Sequence, residues 1–261
     1  MTRILRLIVG MLVSVAALGG ALAAPAAALT PYVVTATATP NTGGLGTAFS
    51  ISGSVPNATA GRTVYLDEFS SGAWRQRFAV RTTANRSFLF PRQRPSAAGL
   101  YKFRVRTPGS AVHSAGVSST VSVSIFRWIK LTEYKPIAGF ANSAPDTRLA
   151  GDVYFSKYWI LERSAPGPVS VTYDLKRRCT NFRVTLGVDE GSLPGANSSR
   201  MQVALDTTTV LNQVFSTGDA LYRMFPLTGR SQLRLSAQAV SYNTRNYSMP
   251  AFGGPEIRCS F

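Results

Sequence analysis

Leu100-Tyr101-Lys102-Phe103-Arg104-Val105-Arg106 is the stretch that decides the fold. In an extended chain successive side chains point to opposite faces, so this period of two sends Tyr101, Phe103 and Val105 inward and Lys102, Arg104 and Arg106 into water. The same reading, punctuated by Gly, Pro, Asn and Ser, extends to Val33–Thr39, Phe49–Gly53, Thr63–Glu68, Trp74–Val80, Ser87–Phe90 and Thr120–Ser124. Seven short strands thus fall within about ninety-five residues.

Composition agrees with an all-β chain. Of 261 residues 45% are hydrophobic and only 15% charged, with many Thr, Ser, Val and Gly, which argues against a coiled coil and against disorder. Seven strands at this spacing are the arithmetic of an immunoglobulin-like sandwich. One His and two Cys leave too few ligands for a Cys/His zinc site and remove most nucleophile-base dyads. His113, between Gly109 and Gly116 and without a neighbouring G-x-S-x-G motif, reads as a loop histidine. No cofactor is expected.

The N-terminus reads as a secretory signal peptide over residues 1–28. Arg3 and Arg6 precede the apolar run Leu7–Leu18, and A-x-A sites follow at Ala21–Ala23, Ala24–Ala26 and Ala26–Ala28. An uncleaved anchor is the alternative, opposed by Gly10, Gly19, Gly20 and Pro25. Export makes the expected location extracellular or cell-wall associated, with membrane contact only through the leader before cleavage. In an oxidising compartment Cys179 and Cys259 are expected to form a disulfide. The alternative, a Cys179 nucleophile activated by Arg177 and Arg178, lacks a base.

A second unit begins near Ile125. Val169–Leu175, Asn181–Val188, Met201–Asp206, Thr209–Phe215, Leu221–Leu227, Gln232–Ala239 and Glu256–Phe261 read as strands, with Asp152–Leu161 adding one or two. Phe182, Val184, Leu186 and Val188 face one way, Arg183 and Thr185 the other. Eight or more strands over about 137 residues fit a jelly roll. The expected architecture is all-β: two antiparallel sandwiches, immunoglobulin-like over 30–124 and jelly roll over 125–261.

Both halves resemble known families. Gly44-Leu45-Gly46-Thr47, Gly61-Arg62-Thr63-Val64, Trp74, Phe88 and Ala98-Gly99-Leu100-Tyr101-Lys102-Phe103-Arg104 resemble a bacterial immunoglobulin-like domain of secreted actinobacterial proteins. Thr172-Tyr173-Asp174-Leu175, Cys179 with Phe182, Leu186-Gly187-Val188-Asp189, Val203-Ala204-Leu205-Asp206, Leu233-Arg234-Leu235 and Ala251-Phe252-Gly253-Gly254-Pro255-Glu256-Ile257 resemble the novel carbohydrate-binding module family. That resemblance implies a galactose-binding-like jelly roll of the kind carried by secreted glycan-active proteins. The chain departs from the family at Tyr158–Arg163, where a Gly-rich stretch with a His is usual, and at Gly254, where an acidic residue is common.

The charge is 28 basic residues against 12 acidic, a net +16, and 23 of the cations are Arg. Arg forks suit carboxylate and phosphate, although a G+C-rich genome enriches Arg equally. Nucleic acid is not expected, because the arginines alternate along outward strand faces and no nucleic-acid fold signature occurs. Asp189 and Glu190 are adjacent beside a Gly/Pro-rich loop and read as a solvated turn, with a calcium site built on Asp189 and loop carbonyls as the sharper alternative. Aromatic residues offer the better lead, since a sugar's apolar face packs on a ring while its hydroxyls need planar polar partners. Tyr247 in the polar Tyr242–Tyr247 loop, or Trp159, is expected to stack, with Asn243, Asn246 and Asp189 bonding hydroxyls. Trp159, beside Ile160 and Leu161, fits a core position equally well.

Three function classes remain. The first is a non-catalytic protein that binds a cell-envelope glycan or anionic polymer. The second is a structural or adhesive surface protein with protein partners. The third is an enzyme needing a carboxylate pair in the second unit. The sequence favours the first.

Overall fold

The computed structural model describes residues 28–139, 146–155, 157–159, 168–190, 198–240 and 249–261, with 146–147, 153–155 and 157–159 described through their backbone. Except for Ala28, the expected leader lies outside these residues. Among the described residues the regular structure is strand, apart from one 3-10 turn at Leu131–Glu133. No helix among them is long and apolar enough to cross a membrane.

The first half holds β1 (Thr35–Thr39), β2 (Thr42–Gly44), β3 (Phe49–Ser54), β4 (Thr63–Ser70), β5 (Ala73–Arg81), β6 (Ser87–Gln93), β7 (Gly99–Thr107), β8 (Gly116–Val117) and β9 (Val121–Lys130). One sheet has the order β1-β3-β6; the facing sheet runs β9-β7-β4-β5. Alternation along each strand closes the core: Phe49, Ile51, Phe88 and Phe90 from the first sheet meet Val64, Leu66, Phe103, Val105, Val123 and Ile125 from the second. Tyr101 packs at the rim of this core. β2 leaves the β1 sheet and pairs in parallel with β9, Thr42 opposite Ser124.

The second half holds β10 (Ala138–Gly139), β11 (Asp146–Leu149), β12 (Asp152–Phe155), β13 (Lys157–Trp159), β14 (Val169–Asp174), β15 (Cys179–Val188), β16 (Ser198–Leu205), β17 (Thr208–Ser216), β18 (Ala220–Pro226), β19 (Gln232–Ala239) and β20 (Pro250–Cys259). One wall is the sheet β10-β14-β19-β16-β17; the other is β18-β15-β20 with the end of β9. Val171, Tyr173, Leu233, Leu235, Met201 and Val203 from the first wall bury against Phe182, Val184, Leu186, Phe252 and Ile257 from the second. The chain is therefore two antiparallel sandwiches with two cores.

β9 belongs to both. Its Val121–Ile125 segment pairs with β7, and its Arg127–Lys130 segment pairs with β20. Val123 and Ile125 point into the first core, Arg127 is exposed, and Ile129 on the same strand face enters the second. The expected boundary between residues 124 and 125 thus falls inside a strand of ten residues.

Cys179 and Cys259 are disulfide-bonded, with Cα atoms 4.0 Å apart. They are direct partners on β15 and β20, both buried. β20 begins at Pro250 rather than Glu256, because a bulge at Gly254-Pro255 lets the ladder continue past a proline that has no N–H to donate.

Candidate site at one end of the second sandwich

Strand order sets what meets at this end. β13, β20 and β15 lie side by side, so Trp159, Ala251 and Gly187 are neighbours across the sheet, and Asp189 follows two residues beyond Gly187. The Asp189 N–H donates to the Met249 carbonyl at 2.9 Å, and the Glu190 N–H to the Arg148 carbonyl at 3.0 Å. In return Glu190 Oε1 accepts the Gly151 N–H at 2.6 Å. These bonds clasp the β11–β12 hairpin to the end of β15. Its turn residues Ala150 and Gly151 both have positive φ, 50° and 82°, the backbone that a two-residue hairpin turn requires. The opposite wall contributes Ser198, whose carbonyl accepts the Val240 N–H at 3.1 Å.

Of the residues expected to bind, Trp159 is placed at this end by its backbone, and Asp189 by backbone and side chain. Asp189 is only 5% exposed, while Glu190 beside it is open to solvent. The expected solvated turn therefore holds for Glu190 alone, because the Met249 bond draws Asp189 in under the start of β20. Asn243, Asn246 and Tyr247 lie outside the described residues; the strand ends that flank them, Ala239 and Pro250, both border this end. Among the described residues no three His, Cys, Asp or Glu side chains come together around a space for a metal ion.

The far end of the sandwich is fastened differently. Asp206, in the turn between β16 and β17 with φ 55°, accepts the Ser231 hydroxyl at 2.7 Å and the N–H groups of Ser231 and Gln232 at 2.9 Å each. The Ser231 hydroxyl, the two backbone donors and the Arg230 charge hold its carboxyl below the usual range against a smaller opposing effect of burial. This is a structural clasp, far from the candidate residues.

Sequence reasoning missed a groove of about 650 Å3 in the first sandwich, between the edge strands β5 and β6. Phe49, Phe90 and Tyr101 form its floor, Phe78 its wall, and Arg77, Arg92 and Arg94 its rim. Arg77 pairs with Glu68 at 3.1 Å. The signal was Pro91-Arg92-Gln93-Arg94-Pro95, which reads as a strand end; the missing information was that β5 and β6 belong to different sheets with no strand closing the gap.

The NPCBM/NEW2 domain family matches residues 164–251, which contain β14–β19 and the first residues of β20. No curated protein matches the sequence. Among solved structures, the chain is similar to the CBM51 module of Clostridium perfringens GH95 in complex with methyl-galactose, at 14% identity and TM-score 0.40, over 50% of this chain and 99% of that one. The CBM51-2 and INT domains of Clostridium perfringens ZmpB align at 9% identity and TM-score 0.41, over 62% of this chain and 38% of that one. A CBM36 module in complex with calcium and xylotriose aligns at 11% identity and TM-score 0.26, over 51% of this chain and 97% of that one.

Proposed function

We propose that the chain is a secreted, non-catalytic protein whose second sandwich binds a glycan of a cell envelope at the end where β13, β15 and β20 meet. One observation carries this reading: the NPCBM/NEW2 match over residues 164–251 takes in β15 and the first residues of β20, which border that end. Tyr247 or Trp159 supplies the apolar face for a sugar ring, and Asn243 and Asn246 supply hydroxyl partners. Asp189, buried and bonded through its N–H to Met249, acts by holding the start of β20 in place. The first sandwich is read as immunoglobulin-like, on the crossing of β1 to β2 and the parallel β2–β9 pairing, and as the support that presents the binding end.

Purified cell wall provides the test. The full chain is expected to sediment with it, competably by soluble glycan, and Tyr247→Ala with Trp159→Ala is expected to weaken retention at least tenfold. Retention that glycans never compete would instead favour the adhesive reading. That reading draws on the uncovered edge where Val210, Val214, Tyr222 and Met224 are exposed on β17 and β18.

A further inference from the structure

Arginines that alternate one by one along the sequence come together across strands. On the outward face of the first sandwich, Arg104 and Arg106 of β7 both reach Asp67 of β4, at 3.3 and 3.0 Å. The Arg104 guanidinium lies 4.5 Å from the Trp74 ring centre, and that of Arg106 4.4 Å from Tyr65. The outward face of the second sandwich repeats the motif. Arg183 of β15 bonds Glu256 of β20 through Nε at 2.7 Å and lies 4.2 Å from the Trp128 ring centre. Arg258 lies 4.9 Å from that of Phe126. Both clusters are on one face of one sheet, because β9 carries Phe126 and Trp128 on the side opposite Val123, Ile125 and Ile129. From Ser122, where β7 brings Lys102 alongside, to Trp128, where β20 brings Arg258, is about 20 Å at ~3.4 Å per residue.

Charge on this face is one-sided. Lys102, Arg104, Arg106, Lys130, Arg183 and Arg258 stand against Asp67 and Glu256, six cations to two carboxylates. Asp67 is already committed to two arginines and is 4% exposed, whereas the side chains of Arg104, Arg106 and Arg183 remain 30–39% exposed. A guanidinium held over a ring and tethered by an ion pair presents its remaining N–H groups with less loss of rotamer freedom.

We propose that this face is a second binding surface, distinct from the end of the second sandwich, and that its occupant is a linear acidic glycan with a carboxylate on each repeating sugar. An extended polyanion matches a strip of fixed cations about 20 Å long, and the spread of charge over two clusters needs a repeating ligand. Single-stranded nucleic acid is disfavoured: the four rings Trp74, Tyr65, Trp128 and Phe126 are each covered by a guanidinium, leaving those faces unavailable to stack bases. The choice of a glycan over other polyanions rests on the reading of the second sandwich as a glycan binder.

The test uses the full mature chain, polygalacturonate as the probe, and binding measured from 20 to 500 mM NaCl. Lys102→Gln with Arg258→Gln removes two cations without touching the Asp67 or Glu256 ion pairs, so folding is retained and checked by the thermal transition. Affinity is expected to fall at least tenfold at 20 mM NaCl, with a shallower salt dependence, while Lys102→Arg with Arg258→Lys keeps the parent's affinity. An unchanged affinity in the Gln variant overturns the proposal, as does tighter binding of single-stranded DNA of equal charge. Trp159→Ala with Tyr247→Ala separates the two surfaces: it is expected to abolish neutral-sugar binding and spare polygalacturonate. A chain that binds neutral sugars but no polygalacturonate loses this inference and keeps the proposed function; the reverse outcome keeps the inference and removes the other.

Discussion

Cys179 and Cys259 show at the scale of single residues how far the sequence reaches. The expectation of export and an even count were enough to pair them; that they sit directly opposite on neighbouring central strands was not legible. The bond closes a loop of 80 residues, for which chain entropy alone gives about 4–5 kcal/mol as an upper value. Cys179→Ala with Cys259→Ala is therefore expected to lower the thermal midpoint by up to about 8–20 °C, taking ~2–4 °C per kcal/mol at this size. Two free thiols in the denatured, unreduced protein would contradict the bond. Asp206 gives a second test at this scale. Its folded carboxyl titrates below the unfolded one, so its contribution is present above the ordinary carboxylate range and fades as pH falls from about 4 through the folded value. The stability gap between the parent and Asp206→Asn is expected to be larger at pH 7 than at pH 2.5, by urea unfolding at both. A gap independent of pH would show that the charge of Asp206 plays no part.

Elements were legible where one strand face is dry and the other wet. The β7 and β15 segments alternate cleanly, and Phe103, Val105, Phe182, Val184 and Leu186 are buried as their spacing required. The pattern failed where both faces are covered. Ile125 and Phe126 are adjacent and both buried, one in the first core and the other beneath Arg258, which hid the continuity of β9 behind an apparent boundary. The last strand read as starting at Glu256 because a local rule cannot see a bulge at Gly254-Pro255 supported by a partner about seventy residues away. β9 itself yields a prediction. Ser124 donates its N–H to the Asn41 carbonyl at 2.9 Å, so Ser124→Pro deletes that bond in the middle of the shared strand. A loss of about 1–3 kcal/mol is expected from the unmade bond, with calorimetry showing both sandwiches melting earlier. If only the first moves, β9 does not couple the two cores. The complementary fragment Ile125–Phe261 keeps the whole β9–β20 ladder and is expected to fold as a β-protein with a cooperative transition.

For the whole molecule, charge and aromatic content become informative only after the chain is folded. A net charge of +16 named no partner in the sequence; the sheet gathers part of it into a strip on one face and leaves the end of the second sandwich to residues of another kind. The candidate site was legible as a region, through Trp159, Asp189 and the strand ends beside Asn243, Asn246 and Tyr247. It was not legible as contacts, because burial of Asp189 depends on a bond from its backbone to Met249. Glycan recognition by the second sandwich is the central claim, and calorimetric titration of the mature chain with neutral oligosaccharides released from purified cell wall tests it most directly. Saturable binding with Kd between about 1 µM and 1 mM, typical of a shallow site with few polar contacts, is expected, largely lost in Tyr247→Ala with Trp159→Ala. No heat of binding for any fraction, from a chain whose thermal transition shows it folded, would contradict the claim.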